Sequence, residues 1–121
     1  MPAILIVEDD PSTLEAVSAM LEVSGQLNVR SAKDGIACLE MLREDSFDLM
    51  FLDLMMPRMD GVEVLRELRG GAAPRPGHIV VMSAHANADD QAGVRILGAD
   101  QFLAKPFSLD QLTQVLETAA L

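Results

Sequence analysis

Tryptophan and tyrosine are absent from the 121 residues, and the only aromatics are four phenylalanines. A core must therefore be built from Leu, Val, Ile, Met and Ala. Basic residues are scarce too: nine Lys and Arg stand against 19 Asp and Glu, a net charge of -10. That balance repels phosphate backbones and anionic lipid, which excludes nucleic-acid and membrane binding as direct roles of this domain. One cysteine, Cys38, leaves no internal disulfide and suits a reducing compartment. It lies in an apolar helical stretch and reads as a buried thiol rather than a nucleophile. No apolar run approaches the roughly 18–20 residues of a membrane span. Met1-Pro2-Ala3 lacks the basic start of a signal peptide, so a cytoplasmic protein is expected.

What is present is half apolar by count, enough to bury the core of one domain, expected to span residues 1–121. Short unbroken apolar runs recur: Ile4-Leu5-Ile6-Val7, Leu49-Met50-Phe51-Leu52, Ile79-Val80-Val81-Met82 and Phe102-Leu103-Ala104. A weaker run extends from Leu27 to Ala32. Runs without alternation mark strands buried on both faces. Helical spacing fills the gaps between them. Leu14, Val17 and Leu21 follow the Asp10-Pro11 start and end at Ser24-Gly25. Ile36, Leu39 and Leu42 mark a second helix, and Val62, Leu65 and Leu68 a third, between Asp60-Gly61 and Gly70-Gly71. A fourth runs from about Asn87 to Leu97. The fifth opens on a capping box, Ser108 with Gln111, and carries Leu109, Leu112, Val115 and Leu116. Five β-α units in succession predict an α/β fold: a five-stranded parallel sheet covered by helices on both faces.

Ligands of such sheets gather outside the carboxyl ends of the strands. Glu8, Asp9 and Asp10 follow the first strand, Asp53 ends the third, Ser83 the fourth and Lys105 the fifth. Asp10 reads most simply as a helix cap. Two unit charges about 4 Å apart repel by about 4 kcal/mol at an effective dielectric of 20, so clustered carboxylates call for a cation. Oxygen ligands alone favour Mg²⁺, which shares itself between carboxylates and phosphate. The set fits phosphoryl transfer. Asp53 would act as nucleophile, Lys105 and the metal would hold developing charge, and Ser83 would donate to a phosphoryl oxygen.

The segments Ile6-Val7-Glu8-Asp9-Asp10, Asp53-Leu54-Met55-Met56-Pro57-Arg58-Met59-Asp60-Gly61, Met82-Ser83-Ala84 and Lys105-Pro106-Phe107 resemble bacterial two-component response-regulator receiver domains. The likeness covers essentially the whole chain, and D-x-x-M-P-x-M-D-G with K-P-F is its most specific part. It implies the flavodoxin-like (βα)5 receiver fold with strand order 2-1-3-4-5. By the same resemblance Asp53 is the phosphoacceptor. Asp9, Asp53 and the backbone carbonyl of Met55 ligate Mg²⁺, and Glu8 acts through water. Ser83 is the switch hydroxyl, Phe102 the switch aromatic, Lys105 the family's lysine, and Lys105–Pro106 a cis bond. Ser83 replaces the more frequent Thr, and Phe102 lacks the hydroxyl a Tyr would offer.

The implied role is a phosphorelay switch. It would take a phosphoryl group from a sensor histidine kinase or histidine phosphotransfer protein and alter its α4-β5-α5 face to control a downstream effector. It would not be an enzyme beyond its own phosphotransfer and autodephosphorylation. A phosphate-independent module of the same fold is the alternative, although such modules usually lose an acid or the lysine. An aspartyl-phosphate hydrolase of the haloacid-dehalogenase type wants a second acid two residues after the nucleophile, where Met55 stands. The Glu8-Asp9-Asp10-Pro11 turn has no glycines to admit a nucleotide phosphate. His78 and His85 read as exposed loop residues, with His85 near enough to Ser83 to affect water attack. No Lys or Arg follows Lys105, which disfavours dimerisation through ion pairs on the last two helices. A start directly before the first strand disfavours the far end of a hybrid kinase.

Overall fold

The three longest apolar runs become the centre of a parallel sheet in the computed structural model, which describes residues 1–85 and 87–121. The strands are β1 (Ile4–Val7), β2 (Val29–Ala32), β3 (Leu49–Asp53), β4 (Ile79–Ser83) and β5 (Gln101–Ala104). They pair in parallel in the order β2-β1-β3-β4-β5. Every residue of β1, β3 and β4 is buried, as continuous runs require of central strands.

Helices α1 (Pro11–Val23), α2 (Gly35–Glu44), α3 (Gly61–Arg69), α4 (Ala88–Ile96) and α5 (Leu109–Thr118) alternate with the strands. The sheet separates two cores. On one side Val17 and Leu21 of α1 and Leu112, Val115 and Leu116 of α5 pack on Ile4, Ile6, Phe51 and Met82. On the other, Cys38, Leu39 and Leu42 of α2, Val64, Leu65 and Leu68 of α3 and Val94 of α4 pack on Leu5, Val7, Met50 and Val81. Burial raises the Cys38 thiol to a pKa of about 12, so it is inert as a nucleophile.

The helix starts follow their capping residues. Asp10 accepts from the Thr13 amide, and Asp60 with Glu63 and Ser108 with Gln111 form capping boxes. Gly25, Gly71 and Gly98 have positive φ just beyond α1, α3 and α4.

Several expectations shift. β2 is shorter than the Leu27–Ala32 run, and Leu27 is exposed because β2 is an edge strand. β5 begins one residue early, at Gln101. Ile36 and Leu109 sit in first turns, outside the buried stripes of their helices, and are exposed.

His78 is a further correction, being half-buried rather than exposed. Its Nε2 lies 2.7 Å from Gln101 Nε2, and its Nδ1 is 3.9 Å from Asp100. Asp100 accepts from the Ile79 amide at 2.8 Å and pairs with Arg75 at 2.6 Å. Burial would raise the Asp100 carboxyl, but the Ile79 amide and Arg75 outweigh it and hold its pKa below the usual range. This knot ties the loops at the amino edge of the sheet, opposite the acidic rim. Among the described residues, no helix is long and apolar enough to cross a membrane.

Candidate functional site at the carboxyl edge of the sheet

The strand order reverses at the β1/β3 boundary, and neighbouring crossovers leave a crevice there. β1 runs directly into Glu8 and Asp9, while β3 ends on Asp53, so the two carboxyl ends deliver three acids to one place. Carboxylate oxygens of Glu8, Asp9 and Asp53 all lie within 4.8 Å of one another. Glu8 and Asp53 are nearly buried, at 2% and 3% exposed, whereas Asp9 faces outward.

Lys105 comes from the far side of β4. Its amide donates to the Ser83 carbonyl at 2.8 Å, which fixes the end of β5 beside β4. Its Nζ donates to Glu8 Oε1 at 2.6 Å and lies 3.3 Å from Asp53 Oδ1. Burial by itself would lower the pKa of this ammonium. The Glu8 hydrogen bond and the Asp53 charge outweigh burial and hold the pKa of Lys105 above its ordinary 10.5. Glu8 is pushed upward, first by burial and then by Asp53, against the pull of Lys105. The second Glu8 oxygen accepts from the Asp10 amide at 3.2 Å.

Other predicted residues stand around this cluster rather than in it. Asp10 is exposed and caps α1; hydrogen bonds from Thr13 lower its pKa. The Met55 amide donates to Asp53 Oδ1 at 3.3 Å while its side chain is exposed. Ser83 is buried, and its Oγ accepts from the amide of exposed His85 at 3.0 Å. Phe102 is half-buried against the α2-α3-α4 core, level with Val81 of β4. The Lys105–Pro106 bond is cis.

One lysine faces two buried acids and an exposed third, so the cluster retains surplus negative charge. Three hard oxygen donors in that arrangement fit a divalent cation of the Mg²⁺ kind. Sequence reasoning did not single out Asp34, a buried carboxylate that caps α2 and pairs with Arg58 at 3.0 Å. An Asp directly before the second helical pattern was the available signal.

The fold and this rim define a flavodoxin-like α/β domain with an acidic, lysine-bearing cleft. The model of the response regulator receiver domain family matches residues 4–117. The chain is 39% identical over 109 residues to response regulator MprA of Mycobacterium tuberculosis, covering 90% of this chain and 46% of that protein. It thus spans about half the length of the curated relatives it matches. Among solved structures, the chemotaxis protein CheY4 of Vibrio cholerae superposes with a TM-score of 0.88 at 27% identity, over 98% of both chains. The receiver domain of the sensor histidine kinase PA1611 from Pseudomonas aeruginosa gives 0.85 at 30% identity, over 97% of this chain and 95% of that one. That structure has a magnesium ion coordinated in its active-site cleft. The chain belongs to the response-regulator receiver family of two-component signalling. Domains of this family bind Mg²⁺ at an acidic pocket and work with histidine kinases and effector domains.

Proposed function

We propose that this domain accepts a phosphoryl group on Asp53 in a Mg²⁺-dependent reaction and passes the change to a partner through α4, β5 and α5. The observation that carries the reading is the position of Lys105, bonded to Glu8 and 3.3 Å from Asp53 in a three-carboxylate cleft. Asp9, Asp53 and the Met55 carbonyl would hold Mg²⁺, with Glu8 acting through water. When bound, the ion neutralises charge on the transferring phosphoryl oxygens. An Asp53 carboxylate oxygen attacks phosphorus as the donor's P–O or P–N bond breaks and the donor leaves with that electron pair. Lys105 holds charge on the product. The domain has no turnover of its own beyond this transfer and the hydrolysis that releases inorganic phosphate and restores the Asp53 carboxylate.

A donor needs access to Asp53 from the side. An apolar groove of about 430 Å³ lies between α1 and the β5–α5 loop, lined by Thr13, Ala16, Met20, Lys105 and Phe107. Its position beside Lys105 suits a helix presenting a phosphorylated histidine, from a sensor kinase or a histidine phosphotransfer protein.

Incubation with acetyl phosphate and Mg²⁺, followed by intact-mass measurement, tests the acceptor. One added phosphoryl group is expected, absent in Asp53→Asn and absent in EDTA. Labelling that persists in Asp53→Asn moves the acceptor elsewhere, and labelling indifferent to EDTA removes the metal from the reaction.

The output follows from Ser83. In its contact with the His85 amide the Ser83 Oγ accepts and its O–H is left to donate; new acceptor oxygens on Asp53 take that hydrogen bond and draw the hydroxyl inward. Phe102, half-buried on the neighbouring strand, fills the space vacated. Burying a Phe more fully contributes about 1.5–3 kcal/mol at most, enough for a tenfold to hundredfold population shift. Hydrogen exchange with beryllofluoride, a phosphoryl mimic, should change protection across residues 84–107 in the wild type and not in Ser83→Ala. Changes confined to the loop after Asp53 would refute this route.

A further inference from the structure

The loop of residues 54–60 joins β3 to α3 and carries Met55 past Asp53. Its base is closed internally: the Gly61 amide donates to the Leu54 carbonyl at 3.1 Å, and the Met59 amide to the Pro57 carbonyl at 2.8 Å. Its outer side is held by a different element, the start of α2. There the Gly35 amide donates to the Met59 carbonyl at 3.1 Å. A Cβ on Gly35 would lie 2.7 Å from that oxygen and 2.7 Å from Met59 Cγ, so the approach is as close as a backbone allows.

The neighbouring residue supplies a second attachment. Asp34 is 6% exposed and both its oxygens are engaged. Oδ1 accepts from the Ala37 amide at 2.9 Å and caps α2, while Oδ2 pairs with the Arg58 guanidinium at 3.0 Å. Arg58 has a φ of 66°, in the left-handed region that non-glycine residues rarely adopt. Glycine would make this turn more easily. Most of the arginine side chain is exposed, and exposed ion pairs seldom stabilise a fold by much. The residue thus serves local backbone preference poorly, while its head reaches a buried carboxylate on another element.

We infer that Asp34 and Arg58 are positioning residues for the phosphorylation site. Their pair, with the Gly35–Met59 bond, anchors the 54–60 loop at two points and keeps the Met55 main chain against Asp53. The inference rests on the reading of Asp53 as a Mg²⁺-assisted acceptor. Outer partners that orient a metal's ligands typically contribute tenfold to a hundredfold to its affinity. Arg58 lies beyond the direct neighbours of the cleft, so the low end applies.

Three variants test it. Asp34→Asn keeps an oxygen for the Ala37 amide and removes the charge. Arg58→Asn removes the guanidinium but tolerates positive φ, and Arg58→Lys keeps a charge without the fork. Mg²⁺ affinity by calorimetry, acetyl phosphate labelling rate, hydrogen exchange of residues 54–60 and thermal midpoint are measured on each. Asp34→Asn and Arg58→Asn should weaken Mg²⁺ about tenfold, slow labelling and speed exchange in the loop. The midpoint of Arg58→Asn should stay the same or rise, whereas loss of a purely structural arginine would lower the midpoint and leave affinity alone. Arg58→Lys should recover part of the loss. Wild-type affinity and exchange in both neutral variants would overturn the inference. A wild type that neither binds Mg²⁺ nor labels would sink the reading of Asp53 instead, and loop exchange would still decide whether the clamp exists.

Discussion

Gly61→Ala is expected to lose about 3 kcal/mol of stability, at the upper end of what overpacking costs, and to take up no phosphoryl group from acetyl phosphate. A Cβ at this position would lie 2.5 Å from the Asp53 carbonyl oxygen and 2.9 Å from the Leu54 Cα. Neither is the tip of a flexible side chain. Both are main chain at the end of β3, and Asp53 is anchored there by the Lys105 ammonium and the Met55 amide. Relief requires the start of α3 to move outward or Asp53 to move from its cleft. The first breaks the Gly61–Leu54 bond that closes the loop, and the second misplaces the proposed acceptor. Gly93→Ala is the matched control. That glycine is inside α4, an added Cβ would meet nothing within 4 Å, and helix propensity favours Ala by up to about 1 kcal/mol. Thermal unfolding should fall sharply for the first variant and rise slightly for the second. Equal behaviour of the two would mean that the turn after β3 is looser than its contacts imply.

Lys105→Met should be nearly as costly in the absence of metal, at about 3 kcal/mol near neutral pH, because one partner of a largely buried ion pair is removed. Glu8 would keep its burial and lose its 2.6 Å partner, with Asp53 beside it and no cation between them. Two remedies follow from this cause. Adding Glu8→Gln to Lys105→Met removes the stranded charge and should restore part of the stability. Mg²⁺ should raise the thermal midpoint of Lys105→Met more than that of the wild type, since the ion supplies the charge the lysine no longer provides. An equal Mg²⁺ shift in both proteins would show that lysine and metal do not share the same carboxylates.

The parts legible in the sequence were those whose cause is local or periodic. β1, β3 and β4 are buried on both faces, so their residues form unbroken apolar runs. β2 is an edge strand with Arg30 and Ser31 exposed at its centre, and its run was correspondingly faint and misjudged at Leu27. The cluster of Glu8, Asp9, Asp53 and Lys105 was legible because a parallel sheet sends every strand end to one edge. The Asp34–Arg58 pair was not, since it joins two loops 24 positions apart and no spacing rule brings them together. The same holds for the Arg75, His78 and Asp100 knot at the opposite edge. His78 looked like an exposed residue, whereas Gln101 and Asp100 close around it in its loop.

The sheet that divides the core in two also divides the mutational tolerance of the chain. Side chains on its opposite faces share a backbone but no packing partners, and substitutions without shared partners combine nearly additively. Core substitutions can therefore accumulate in the α1-α5 half while the α2-α3-α4 half keeps the loop after Asp53 in place.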